Sequence, residues 1–309
     1  MKIAFLFSGQ GAQYPGMLRD LYESEPEVRS IFDCADRTLE RSISGICFTG
    51  SQEELTLTHN TQPCVLAADL AAGMALRSHG VKPSAVAGFS LGEYAALCYA
   101  DAVSVDQVFP LVQFRADAMQ DAVAAGKGAM AAMIGVPKDE VEKICTQVTG
   151  AYVTAANYNS PGQTVISGTT EGVDRAEEIA KAQGVRFIRL AVSAPFHCKL
   201  MEPAARKLKN VFRTTEFSDP KIPVYMNVDG RPIDNGKKIP ELLVEQAMSP
   251  VLWVQTLEHM QEDGFDTFIE CGPGKTLSGL AKKTLKGVTV CRVDSIKTLQ
   301  KSLEKLGFK

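Results

Sequence analysis

The sequence has no apolar run near the ~20 residues that a membrane-spanning helix needs. Its N-terminal apolar stretch, in MKIAFLFSGQG, runs only from Ile3 to Phe7 before a Gly-rich turn. A secretory signal would need roughly 7–15 apolar residues and a small-residue cleavage site, so this stretch reads as a first buried strand. Basic runs with interleaved aromatics are also missing, and the net charge is −3. Charge therefore gives no reason to expect nucleic acid or a membrane as partner. The eight cysteines (Cys34, Cys47, Cys64, Cys98, Cys145, Cys198, Cys271 and Cys291) include no CxxC and no short pairing. In a chain of 309 residues they read as buried or incidental thiols of a reducing compartment, with the cytoplasm as the expected location. Histidine is scarce, with four in all. None stands at ligand spacing from cysteines or acids, so no metal is expected. Internal repeats and low-complexity linkers are absent.

What remains is an ordinary globular balance of 45% hydrophobic and 22% charged residues, enough for one large domain or a large domain with an insertion. Lys2 to Ser8 reads as a strand buried on both faces, as in a parallel sheet. Pro63 to Leu76 reads as a buried helix, and Ser84 to Ala87 as a strand entering Gly88-Phe89-Ser90-Leu91-Gly92 and then a helix. This is α/β texture. From about Gly126 the texture changes. Gly128–Gly135, Ala151–Asn157, Gln163–Ser167 and Arg186–Val192 read as strands. Lys138–Val148 and Thr170–Gln183 read as helices, with a turn at Asn159-Ser160-Pro161-Gly162. The order βαββαβ is ferredoxin-like. The expected division is therefore a catalytic domain of 1–126 and 195–309 with an insert of 127–194. Val224–Asn227 and Thr267–Glu270 are the later strand candidates.

The GxSxG turn is the most informative local feature. A nucleophile elbow needs small residues two positions either side of the serine because neighbouring backbone packs closely there; Gly88 and Gly92 supply them. Such a turn exposes the Ser90 hydroxyl and makes the Leu91 N–H the first expected oxyanion donor. The plain alternative is a structural turn carrying a solvated serine. A serine nucleophile needs a base. His59 lies in a polar connection, His79 at a helix end and His259 on a helix beside acids, read as a wet face. His197 follows Ala194-Pro195-Phe196 where the insert returns to the main domain, and domain junctions favour pockets. No acid stands between Ser90 and His197 in the place an α/β-hydrolase triad requires; a carbonyl or amide is left to orient the imidazole. Arg115 sits on a largely apolar helix. Its planar fork suits a carboxylate, and a surface ion pair is the equally available alternative.

Several segments together resemble the malonyl-CoA:acyl carrier protein transacylase family of fatty acid and polyketide synthesis. They are FLFSGQGAQYPGM, QPCVLAADLA, GFSLGEYAAL, FRADAMQ, NYNSPGQTVISG, APFH, MNVDG, LVEQAMSPVLW and ECGPGKTLSGL. The resemblance spans about residues 3 to 285 and implies an α/β-hydrolase-like domain with a ferredoxin-like insert. It implies Ser90 as nucleophile, His197 as base and Gln246 as the group holding His197. Gln10 and Leu91 would supply the oxyanion N–H groups. Arg115 would pair with the malonyl carboxylate, and Phe196 would narrow the pocket against branched acyl groups. Malonyl-CoA and acyl carrier protein are the implied partners, with no cofactor. One departure stands out: the family commonly reads GHSLG, and Phe89 replaces that histidine here. Three rival readings stay open, namely an acyl-thioester hydrolase, a transacylase of a polyketide assembly line and a non-catalytic binding protein. Because carrier proteins are generally acidic, Lys275, Lys282, Lys283 and Lys286 are candidates for a docking patch near the pocket mouth.

Overall fold

The structure is a computed structural model that describes residues 1–192 and 194–308. Among the described residues ten strands fall into two sheets. The larger sheet contains β1 (Ile3–Phe7), β2 (Ala85–Gly88), β7 (Val224–Tyr225), β8 (Pro232–Ile233), β9 (Thr267–Cys271) and β10 (Thr289–Val293), in the order β10-β9-β1-β2-β7-β8. All its pairings are parallel except β7 with β8. Its central strand β1 is buried along its whole length. Helices cover both faces, as a parallel sheet requires, giving one large core and a second cluster around Trp253 and Phe268.

The smaller sheet holds β3 (Gly128–Ile134), β4 (Val153–Ser160), β5 (Gln163–Thr169) and β6 (Arg186–Arg189), in the order β4-β5-β3-β6, all antiparallel. Its helices, Lys138–Gln147 and Thr170–Ala182, pack on it around a core of their own. The fold is therefore an α/β-hydrolase-like domain carrying a ferredoxin-like βαββαβ unit.

Local differences from the sequence reading have physical causes. The helix expected from Pro63 begins at Thr58. Pro63 cannot donate to the carbonyl four residues back, but Arg41 Nη2 bonds that His59 oxygen instead, at 2.7 Å. Strand β4 continues through Ser160 with two irregularities, so the turn shrinks to Pro161-Gly162. Strand β6 stops at Arg189; Leu190 N–H still bonds Met130 O at 3.0 Å, and Val192 then turns toward the catalytic cavity. Strand β7 ends at Tyr225 because the following turn carries Asn227 back to the elbow.

Candidate active site

The Gly-x-Ser-x-Gly segment links β2 to the helix Gly92–Tyr99. A Cβ on Gly88 would sit 1.9 Å from the Gly92 carbonyl, and one on Gly92 would sit 2.3 Å from Phe7 O. Only glycine lets the turn close this tightly. Ser90 takes a left-handed backbone, φ 54°, a strained state for a non-glycine residue. Asn227 holds it there. Its Oδ1 accepts from Ser90 N–H at 2.7 Å, and its Nδ2 donates to Gly88 O at 2.7 Å. Asn227 N–H in turn donates to Glu93 Oε2 at 2.6 Å.

The end of β1 passes just as closely, since a Cβ on Gly9 would meet Phe89 O at 2.7 Å. This contact sets Gln10 beside Ser90 on the wall of one cavity. The backbone N–H groups of Gln10 and Leu91 have no partner among the described residues. They are free to serve an oxyanion at the N-terminus of the elbow helix.

His197 Nε2 lies 2.6 Å from Ser90 Oγ. Its Nδ1 lies 2.9 Å from Gln246 O, a backbone carbonyl that can only accept. Nδ1 therefore carries the proton, and Nε2 is left to accept from the serine. Gln246 thus orients His197 through its main chain. Its side chain acts elsewhere: Nε2 donates to Ser90 O at 2.8 Å, and Oε1 accepts from Arg115 Nη2 at 3.2 Å. His197 also has positive φ, 59°. Burial pushes its pKa down to about 4, with the Arg115 charge acting in the same direction, so the imidazole is a neutral base near pH 7.

Arg115, on the helix Val105–Asp121, is 1% exposed. Its Nη2 donates to Ser90 Oγ at 3.1 Å and its Nη1 to Gln62 Oε1 at 2.8 Å, while the guanidinium lies over the Tyr94 ring at 5.3 Å. It makes no ion pair among the described residues. Glu93 lies close enough to feel its charge, but burial lifts that carboxyl to about 8. Buried and without an ion pair among the described residues, Arg115 is not half of a surface salt bridge.

The cavity around these groups has a volume of about 210 Å³. Phe89, Met119, Met130, Val165 and Phe196 give it an apolar wall, and Asn157, Asn159 and Gln163 of the smaller unit add amides. Asn159 Oδ1 has no partner among the described residues. Phe89 stands edge-on to Trp253, ring centroids 5.4 Å apart. The other histidines lie elsewhere. His59 is exposed, His79 pairs with Glu25 at 3.3 Å, and His259 is half-buried with Nδ1 at 2.9 Å from Gly230 O rather than on a wet face. All eight cysteines are buried free thiols. Of the four lysines, Lys275 adjoins the cavity residue Thr276, whereas Lys282 lines a separate groove. Among the described residues no helix is long and apolar enough to cross a membrane, and no cluster of three or more potential metal ligands occurs.

Sequence reasoning missed Asn227, Gln62 and Glu93. All three lie inside the quoted segments MNVDG, QPCVLAADLA and GFSLGEYAAL. The available signal was a polar residue in an otherwise apolar element, which marks a buried group that needs partners.

A strained serine bonded to a neutral imidazole, with free N–H groups beside it, defines a serine acyl-transfer site. The chain belongs to the acyl transferase domain family, whose profile matches residues 4–308. It is 44% identical over 308 residues to the malonyl CoA-acyl carrier protein transacylase of Bacillus subtilis (strain 168), covering 99% of this chain and 97% of that one. Among solved structures it superposes on the malonyl CoA-acyl carrier protein transacylase of Coxiella burnetii with a TM-score of 0.96. The identity is 39%, with 99% and 98% of the two chains covered. It also matches a malonyl-transacylase solved with its type II polyketide acyl carrier protein, at a TM-score of 0.96, 40% identity and 99% and 100% coverage.

Proposed function

We propose that this chain transfers a malonyl group from malonyl-CoA to the phosphopantetheine thiol of an acyl carrier protein in fatty acid synthesis, through an ester on Ser90. The observation that carries the reading is the Arg115–Ser90 contact of 3.1 Å. An acyl group esterified to Ser90 would hold a carboxylate two carbons away within reach of that guanidinium. Arg115 is buried and charged, and an acyl group ending in a methyl would leave it unmatched.

His197 takes the Ser90 proton at Nε2 as Oγ attacks the thioester carbonyl. The tetrahedral oxyanion rests on the N–H groups of Gln10 and Leu91. Coenzyme A leaves as its thiol, with the proton returned by His197, and malonyl remains on Oγ. The carrier thiol then attacks the ester, giving its proton to His197 and restoring the serine hydroxyl. The Gln246 carbonyl keeps the imidazole in one tautomer through both halves. Phe196 narrows the pocket, and the smaller unit, which we take as 127–194, lends Asn157, Asn159 and Gln163 to the cavity wall. The reaction as written uses no bound cofactor or metal.

The likeness to a polyketide malonyl-transacylase favours a second reading, the same transfer onto a polyketide carrier. Radiolabelled malonyl-CoA mixed with holo carrier of each kind tests both. Label moving to the fatty acid carrier, and lost in Ser90→Ala, supports the main reading. Transfer confined to the polyketide carrier supports the second, and label released as free malonate contradicts both.

A further inference from the structure

The helix Thr58–Ser78 runs through the core, and Asp69 lies in its apolar middle among Ala67, Ala68, Leu70 and Ala71, all buried. Asp69 is itself 0% exposed. Among the described residues it is the one acid with both carboxyl oxygens buried and without a hydrogen-bond partner. Burial pushes its pKa well above the usual carboxylate range, and the nearby Glu270 adds to the rise. The opposing pull comes from the N–H and hydroxyl of Ser8, and no cation takes part. Burying a polar group without a partner is costly, so an acid here, where its neighbours are alanine and leucine, calls for a use.

Glu270 has its use in plain view. Its Oε1 accepts from Leu277 N–H and its Oε2 from Ser278 N–H, each at 2.8 Å, which holds the start of the helix Thr276–Thr284. The Asp69 carboxyl points instead at the end of β1. A Cβ on Gly272 would sit 1.8 Å from Asp69 Oδ1 and 2.9 Å from Ser8 Oγ, so carboxyl and hydroxyl crowd one spot. The Ser8 N–H and hydroxyl both face the carboxyl, although neither reaches ordinary hydrogen-bond geometry. Ser8 Oγ also donates to Pro273 O, at 3.4 Å.

Two more residues of the same helix reach the same segment. Gln62 Nε2 donates to Gln10 Oε1 at 3.4 Å, and Gln10 Nε2 donates to Thr58 Oγ1 at 3.4 Å. At 3.6 residues per turn, Thr58, Gln62 and Asp69 fall within about 40° of one another, on a single stripe. That stripe meets Ser8-Gly9-Gln10 at both ends. Gly9 between them has no side chain to hold and a permissive backbone, so its neighbours must fix the path. The path matters because it brings Gln10 to the cavity wall beside Ser90.

We propose that Asp69 is a positioning residue for the oxyanion site. Its carboxyl holds the Ser8 end of the segment while Gln62 and Thr58 hold the Gln10 side chain, and together they set where the Gln10 N–H meets the oxyanion. Asp69 touches no reacting atom and acts through Ser8. The proposal rests on the transfer reading given above, which assigns the oxyanion to the N–H groups of Gln10 and Leu91.

The test compares Asp69→Ala and Asp69→Asn in the full chain by rapid-quench loading from malonyl-CoA. Asp69→Ala should lower the saturating loading rate by about ten- to a hundredfold, the scale of a misplaced oxyanion donor. The half-saturating malonyl-CoA concentration should stay within about twofold, because the oxyanion forms only on the way through the transition state. Asp69→Asn keeps an oxygen facing Ser8 and should recover the rate to within about threefold of wild type. Ser8→Ala trims the same contact from its other side. It should lose more than about threefold at unchanged half-saturation, and it decides the matter if Asp69→Ala does not fold. Rates within about threefold of wild type overturn the proposal, as does a loss in Asp69→Asn equal to that in Asp69→Ala, or one that appears in half-saturation. A wild-type protein that loads no malonyl would instead overturn the transfer reading. Acylation of Ser90 by p-nitrophenyl acetate, which passes through the same kind of oxyanion, then carries the comparison of the variants.

Discussion

Ser90 Oγ and His197 Nε2 meet at 2.6 Å although both residues hold left-handed backbone, φ 54° and 59°. Each such conformation costs about 1–3 kcal/mol and persists only where its surroundings over-determine it. Here they do. Asn227 clamps the Ser90 backbone, and the Gln246 carbonyl and side chain tie His197 and Ser90 to one helix end. The strain aims two short side chains at one another across the junction with the smaller unit.

Because Gln246 orients His197 by its carbonyl, removing its side chain should leave the base in place. Gln246→Ala is expected to slow malonyl loading by about tenfold, from the lost bonds to Ser90 O and Arg115. His197→Ala should slow it by about 10²–10⁴. Rapid-quench loading rates compare them, and equal losses would contradict the carbonyl's role.

Arg115→Met keeps the volume and removes the charge. Loss of a buried charge partner, about 3–5 kcal/mol, predicts a fall of roughly 10²–10⁴ in kcat/KM for malonyl-CoA. Acetyl-CoA, which has no carboxylate to pair, should change by less than about threefold. The variant's Tm should fall only modestly, because the buried Gln62 and Gln246 oxygens lose their donor while a desolvated charge is removed. Parallel falls for both donors would remove Arg115 from acyl selection.

The depressed His197 pKa sets the acid limit. The base is active when neutral, so kcat/KM for loading should stay flat from pH 7 down to about 5 and fall as pH drops through about 4. The linked stability term has the same sign. It is fully present above the unfolded value near 6.5 and is lost as pH falls toward about 4. In Arg115→Met the limb should move up, yet stay below 6.5 because burial is the larger cause. A wild-type limb at 6.5 would contradict a desolvated imidazole.

Phe89→His tests the departure at the elbow. Phe89 touches Trp253 and lines the cavity but hydrogen-bonds neither Ser90 nor His197. Loading should therefore change by less than about threefold. A rise of tenfold or more would mean that the family's histidine does work that Phe89 leaves undone.

Much of this was legible because steric rules act locally. Gly88 and Gly92 announce the elbow, and the apolar run of β1 and the βαββαβ order announce the two sheets. His197 was separable from the other histidines only by its place after Pro195. What stayed hidden depends on backbone atoms, which side-chain patterns do not record. That Gln246 acts through its carbonyl, or that Asn227 returns from β7 to grip Ser90, follows only from the paths of distant segments. The same holds for Glu93, whose carboxyl is pushed up only because it is buried beside Arg115.

The central claim is a malonyl ester on Ser90. Purified protein mixed with malonyl-CoA alone, then read by intact mass and peptide mapping, tests it most directly. The account predicts one malonyl adduct at Ser90 that is stable until holo carrier is added, no adduct in Ser90→Ala, and little adduct from acetyl-CoA. No adduct, or one lost to water as fast without carrier as with it, would contradict the account.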